Sequence, residues 1–343
     1  MAGGSKAAVY SAIGANSIVM VAKFIGFALT GSGTMLAEGI HSLADVGNQS
    51  LLAVGMSRAE QKPDEQHPYG YGRDAFVWAL MSAVGIFFLG CGVTVAHGVQ
   101  SLLEGGHHDA STGPWINLGI LTLSLVAEGA SLWIAVRALA KEAKARGQGF
   151  WDYVRTTDDV FGVAVLLEDS AAVFGVIIAF ITVGLTHLTH APYWDPIGSL
   201  LIGALLGFVA FFLMRRNRTL LIGQSIRKAD LDAMHAVFEN DPVVEDVIMS
   251  RAVVEGADAY HIAAEIDFDG AELARRHLGD RDLDKLAEEL DDGDKLLAFL
   301  EEFGDAMTDQ VGVEVDRLEA RLREAIPRAR HVDLEPDGGD LAD

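Results

Sequence analysis

Residues 36–55 read LAEGIHSLADVGNQSLLAVG, an apolar stretch interrupted by Glu38, His41 and Asp45. A run of about 20 such residues is long enough to cross a hydrocarbon core ~30 Å thick as a helix. His41 and Asp45 are four residues apart, so they project from the same face of that helix. Five further apolar segments surround it, at about 8–30, 75–103, 114–138, 160–184 and 193–214. The pattern predicts an α-helical membrane protein with six transmembrane helices. The first segment is too long for a signal-peptide core and lacks an A-x-A cleavage site, so it is expected to be a retained helix.

Charge divides the chain. Residues 1–220 carry a net charge of −3 and residues 221–343 carry −20, within a total of −23. Two domains are expected: a transmembrane domain over 1–220 and an acidic, water-facing domain over 221–343. The Lys and Arg side chains outside the segments fall in alternate connections: Lys6; Arg58, Lys62 and Arg73; Arg137 to Arg155; and Arg215, Arg216 and Arg218. The other connections contain GSG, EGGHHDASTG and LTHLTHAPYW, without Lys or Arg. This asymmetry places both termini and the acidic domain in the cytoplasm, with the plasma (inner) membrane as the expected location. Trp115, Tyr193 and Trp194 fall at outer helix ends, where interfacial aromatics belong.

Several functions drop out. An acidic chain lacks the basic footprint of a nucleic-acid binder. A single cysteine, Cys91, excludes a disulfide framework or a multi-thiolate metal site within one chain. No HExxH-type motif supplies a water-activating metal, so no enzyme activity and no resident cofactor are expected. The last third reads as α/β: a helix at 229–240, strands at Val243–Val254 and Tyr260–Phe268 around EGAD, and a charged stretch at 271–303 broken at DDGD. An amphipathic helix at 307–325 and a short strand at His331–Leu334 follow.

Ionisable groups inside spanning helices mark function by default. Counting 1.5 Å per residue puts His41 ~18 Å and Asp45 ~12 Å above the inner boundary on the second helix. On the fifth helix the same count puts Glu168 at ~12 Å and Asp169 at ~13.5 Å, so the two helices bring polar ligands to one level. An imidazole with carboxylates can hold a divalent transition metal. Carboxylates in hydrocarbon need a bound cation or bound protons, which suggests exchange of the two. Glu168 and Asp169 are about 100° apart on the helix, so one of them is a ligand and the other a ligand or a proton carrier. Glu128, ~10 Å from the inner boundary, is a possible accessory group. Lys23 and Glu38 are expected to form a structural ion pair, and His97 to pack between helices.

These residues resemble the cation diffusion facilitator family of metal/proton antiporters. The stretch 36–55 resembles the family's metal-site helix. DEQHPYGYGRDAF (64–76) resembles its HPFGHGK-type loop, and LLIGQSI (220–226) the opening of its soluble domain. LLEDSAAVFGVIIAF (166–180) looks like a divergent branch that includes mitochondrial zinc transporters. The resemblance implies a homodimer with a ferredoxin-like cytoplasmic domain. It carries the metal site onto His41, Asp45 and Asp169, with Val165 standing where the family has a histidine and Glu168 as its nearest substitute. It implies a possible peripheral metal at Asp64 and His67, although Tyr71 replaces the second histidine. It also implies a possible C-terminal metal at Glu245, Asp333 and Glu335, with His261 and His331 nearby. The expected function is efflux of a divalent metal against protons. Zn²⁺ leads, and Mn²⁺ or Fe²⁺ is the alternative for an oxygen-rich site. A membrane-anchored acidic sensor or assembly protein without transport is the competing reading.

Overall fold

A computed structural model describes residues 3–30, 33–104, 114–189, 191, 193–279 and 281–338. The side chains of 33–41, 114–118 and a few others fall outside that description. The chain divides into two compact units, Met1–Ile222 and Gly223–Asp343.

Among the described residues, the regular elements of the first unit are all helices. Its long helices are α1 (Gly3–Thr30), α2 (Gly33–Ala59), α5 (Pro114–Ala145), α7 (Val160–Thr189) and α8 (Trp194–Ile222). A further rod is composite: α3 (Asp74–Gly85), a π-helical stretch (Ile86–Gly92) and α4 (Val93–Leu103). Helices are the expected solution here, because each backbone N–H and C=O is satisfied within its own segment. Five stretches among the described residues are long and apolar enough to cross a membrane: Lys6–Ile25, Asp74–Leu103, Gly119–Ala145, Val160–Thr186 and Pro196–Ile222. The sixth rod, α2, is 27 residues long, and only 42–59 of it fall among the fully described residues. Its described half carries Ser42, Asp45, Asn48, Gln49 and Ser50. It packs against α1, α3 and α7.

Local signals fix the register of α7. Asp159 accepts from the Gly162 amide at 3.0 Å and caps the helix. Thr157 Oγ1 accepts from the Asp159 amide at 3.2 Å. Arg216 of α8 donates to the carbonyls of Val154, at 2.7 Å, and of Thr157. These bonds tie α8 to the junction between the short α6 (Phe150–Thr156) and α7. Leu139, Ala143, Tyr153, Val154, Val163 and Leu166 pack together beside that junction. α8 approaches α4 and the π-helical stretch through small residues. A Cβ on Gly203 would stand 2.6 Å from Val95 Cγ2, and one on Gly207 2.9 Å from Cys91 Sγ. Cys91 therefore acts as a small packing residue, as a lone cysteine in an apolar run suggests.

The second unit starts at Gly223, whose φ of 110° takes the chain out of α8. It contains α9 (Lys228–Glu239), β1 (Val244–Gly256), β2 (Ala259–Phe268), α10 (Gly270–Leu278), α11 (Leu283–Glu289), α12 (Gly293–Ala325) and β3 (Ala329–Pro336). The sheet order is β1-β2-β3, with β1/β2 antiparallel and β2/β3 parallel. Tyr260, Ile262 and Ile266 of β2 are fully buried, as are Met234 of α9 and Leu318 and Leu322 of α12. This is the expected α/β domain, with one correction. α12 begins at Gly293, well before 307, because the DDGD read as a break is its start. Asp292 accepts from the amides of Asp294 and Lys295, both at 2.9 Å.

An ionic network ties α10 and α12 to the turn that follows α9. Arg317 reaches both oxygens of the buried Asp241, at 2.7 and 2.8 Å, and Glu314 at 2.5 Å. Arg321 also donates to Asp241, and Arg276 donates to Glu314 at 3.0 Å. Burial alone would raise both carboxyls, but the Arg317 bonds outweigh it and hold both below their ordinary values. Their stabilisation is therefore present above the usual carboxylate range and is lost as pH falls through the depressed values. Arg317→Ala leaves two buried carboxylates short of a partner and should cost about 3 kcal/mol. Hydrogen exchange of the β1–β3 amides in the full-length protein checks this; unchanged protection would show that the network is not holding the unit.

Candidate functional site

The helices α1, α2, α5 and α7 line one cavity, with α8 and the π-helical stretch closing another side. Each enclosing helix contributes polar side chains at helical spacing. α1 presents Asn16 and Lys23, seven residues apart; α2 presents Asp45, Asn48 and Gln49; α5 presents Ser124 and Glu128; α7 presents Glu168 and Asp169. Spacings of three, four and seven residues put the sets of α1, α2 and α5 each on one face. Above Asp169 the α7 wall is made of Ala172, Gly175 and Ala179, which leaves the space open.

Asp45, Glu128, Glu168 and Asp169 thus line the same cavity, and each of the other three lies within electrostatic reach of Asp45. Glu128 and Asp169 are buried. Asp169 accepts from Ser131 of α5 at 2.5 Å. Glu168 turns the other way, with Ser82 of α3 at 3.5 Å and Asn48 of α2 beside it. The 100° between neighbouring helix positions is thereby used: one carboxylate faces α5, the other α2 and α3. With the Asn16 amide turned so that its nitrogen meets Glu128 Oε1 at 2.7 Å, its oxygen accepts from Gln49 at 2.9 Å. Lys23 donates to Ser42 of α2 at 2.9 Å. The side chains of His41 and Glu38 lie outside the described residues, and with them the expected imidazole ligand and the Lys23–Glu38 pair. Among the described residues, no three His, Cys, Asp or Glu side chains are gathered closely enough to hold a metal ion. Val165 is fully buried and does not line the cavity. His97, expected to pack between helices, sits on an exposed face of α4 instead.

Ser82, Ser131, Asn16, Asn48 and Gln49 were missed as site residues. Asn48 and Gln49 could have been found, since they sit three and four residues beyond Asp45 on the same face. A hydroxyl such as that of Ser131 leaves no comparable trace in an apolar helix.

The loop 60–73 is organised by its own side chains. Asp64 Oδ1 accepts from the amides of Gln66, at 3.0 Å, and His67, at 2.8 Å. Asp64 Oδ2 accepts from the Tyr71 hydroxyl at 2.7 Å. His67 stacks near Tyr71 with ring centroids 4.3 Å apart, and Gly70 takes a φ of 81° in the turn. Asp64 and His67 are therefore together, their closest N···O distance being 3.5 Å. Tyr71, unhelpful as a metal ligand, is the donor that holds the carboxylate in place.

In the second unit His261 and His331 are register partners on β2 and β3. His261 Nε2 lies 2.7 Å from Asp333, and both imidazoles approach the buried Glu255, at 3.6 and 3.8 Å. Glu335 is exposed two residues beyond Asp333. Glu245 is not brought to them: it stands at the opposite end of β1 from Glu255. Pairing of the distant β3 with β2, invisible in sequence spacing, decides which of these residues meet.

Residues 9–222 match the cation efflux transmembrane domain family. The human protein named "Proton-coupled zinc antiporter SLC30A9, mitochondrial" is 40% identical over 330 residues, covering 95% of this chain and 58% of its own. "Metal tolerance protein C4" of Arabidopsis thaliana is 38% identical over 339 residues, covering 96% of this chain and 73% of its own. "Magnetosome protein MamM" of Paramagnetospirillum magneticum is 27% identical over 255 residues, 71% of each chain. The chain spans 58% of the length of the zinc antiporters it matches.

The loop yields a test. The Tyr71 hydroxyl and the His67 amide hold the Asp64 carboxyl below its ordinary value, and the carboxylate pushes the Tyr71 phenol up. Tyr71→Phe should let Asp64 titrate closer to an ordinary aspartate, so that the turn loosens at a higher pH on acidification. An NMR titration of Asp64 reads this directly; an unmoved midpoint would contradict the hydrogen bond.

Proposed function

The chain belongs to the cation efflux family, and on that premise we propose that it exchanges a divalent transition-metal ion, Zn²⁺ foremost, for protons across its membrane. The observation that carries this reading is the cavity lined by carboxylates from three helices inside an otherwise apolar bundle. A metal ion and protons can each neutralise such a set, and they compete for the same oxygens. His41, Asp45 and Asp169 are assigned to the ion, with Glu168 as fourth ligand or proton carrier and Glu128 as an accessory acid. Ser131 orients Asp169, and Asn16 orients Glu128. The described carboxylates stand apart in the cavity, so the ion itself draws them together. Rocking of the helices around the site then exposes it to one side and the other in turn. Arrival of protons on the acidic side breaks the ligation, since coordination needs the deprotonated groups.

The donors are mostly oxygen, so Mn²⁺ and Fe²⁺ are the competing cargoes. The chain is read as a homodimer without catalytic chemistry, oriented by its Lys and Arg loops so that the metal leaves the cytoplasm. The plasma (inner) membrane is the proposed location. The human relative is named mitochondrial, and subcellular fractionation separates the two. The sites at Asp64 and His67, and at Asp333 and Glu335, are proposed as weaker regulatory positions outside the transport path.

Uptake of Zn²⁺ into liposomes holding the full-length protein tests the reading. An imposed pH gradient should drive accumulation, and collapsing the gradient should abolish it. Asp45→Asn and Asp169→Asn should lower uptake at least tenfold, about 1.4 kcal/mol or more of lost metal interaction. Uptake that survives both substitutions would remove the site; uptake indifferent to the gradient would remove antiport. Glu168→Gln separates its two roles, because loss of binding marks a ligand whereas retained, proton-independent exchange marks a carrier.

A further inference from the structure

One residue facing the cavity has no place in a cation site. Lys23 is 6% exposed and lines the same space as Asp45, Glu128, Glu168 and Asp169. Lysines in spanning helices ordinarily snorkel, extending their charge to the interface. This one is folded into the bundle and donates to Ser42 at 2.9 Å. Ser42 lies three residues before Asp45 on α2, so the ammonium is held about one helical turn along α2 from Asp45, in the cavity that both line. Its charge also reaches the Glu128 carboxylate from across the cavity. Asn16, two turns earlier on the same face of α1, is the residue that meets Glu128. One face of α1 therefore serves the carboxylates of α2 and α5 together.

We propose that Lys23 is a built-in counter-ion of the transport cavity, taking the metal's place among the carboxylates when the ion leaves and weakening the ion's hold while it is bound. The proposal rests on the transport reading above. A cavity of several carboxylates in low dielectric cannot be emptied of a divalent ion without another positive charge close by. Protons supply part of that charge, and a tethered ammonium supplies a part that never has to be fetched from solution. The same ammonium repels a bound divalent ion at short range, so the site trades affinity for release. With an uncharged residue at position 23 the ion should bind more tightly and leave more slowly. A lysine that merely joined α1 to α2 through Ser42 would give a different result on removal: a less stable protein whose remaining active fraction has the original affinity.

The test compares full-length wild type with Lys23→Gln, which keeps a donor for Ser42 but no charge, and with Lys23→Arg, which keeps the charge. Lys23→Met serves as a second neutral variant should the glutamine protein fold poorly. Zn²⁺ binding is measured by calorimetry on the purified protein, and Zn²⁺ uptake in liposomes. The neutral variants should show Kd and KM lowered on the order of tenfold, with kcat lowered alongside. Lys23→Arg should stay within about threefold of wild type, inside the ordinary scatter of a conservative change. Unchanged or raised Kd in the neutral variants, or an arginine variant that behaves like them, would overturn the proposal. A wild type that binds Zn²⁺ but does not carry it would overturn the transport reading alone, leaving the comparison of affinities to decide the role of Lys23.

Discussion

A carboxylate taken out of water has to be protonated, paired with a cation or given hydrogen-bond donors, and this demand organises the first unit. Asp45, Glu128, Glu168 and Asp169 meet around one cavity, and the polar side chains near them are there to serve them. Ser131 donates to Asp169, Ser82 and Asn48 stand at Glu168, and Asn16 turns between Glu128 and Gln49. Each of these donors interrupts an apolar helix, where it would be a cost without a partner. The arrangement supplies enough donors to keep the bundle together, while leaving the oxygens able to take an ion.

The helices that carry these groups are placed by features at a distance from the cavity. Asp159 caps α7 and Arg216 holds the chain just before it, so the two acidic residues nine and ten positions beyond Asp159 enter the cavity in register. Gly203 and Gly207 let α8 close on α4 and the π-helical stretch before it. The second unit holds a different balance. Its net −20 is spread over solvated faces, while Asp241 and Glu314, its buried carboxylates nearest α12, are matched by arginines at hydrogen-bond distance. The same residue type is locked in place there and left available in the membrane-spanning unit.

Much of this is legible in the sequence, because apolar length and four-residue spacing are local properties. The lengths mark the rods. Counting depth along the helices brings Asp45, Glu168 and Asp169 to one level, and the folded bundle gathers all three around one cavity. What stays hidden depends on partners far along the chain. Ser131 serves Asp169 from 38 residues away. His331 meets His261 and Glu255 only through the parallel pairing of β2 with β3. The early start of α12 is hidden for a different reason: DDGD carries the residues of a turn, and the same residues make a helix cap. The family match, which covers the helical unit, agrees with the lengths and loops that first suggested it.

The central claim is that the ion rests on the carboxylates of α2 and α7. X-ray absorption at the zinc edge, on full-length protein given a stoichiometric amount of Zn²⁺, tests it most directly. A first shell of oxygen with a single imidazole, lost in Asp169→Asn, is the predicted result. A shell with two or more imidazoles that survives that substitution would contradict it, and would move the ion to the histidine-bearing sheet of the second unit.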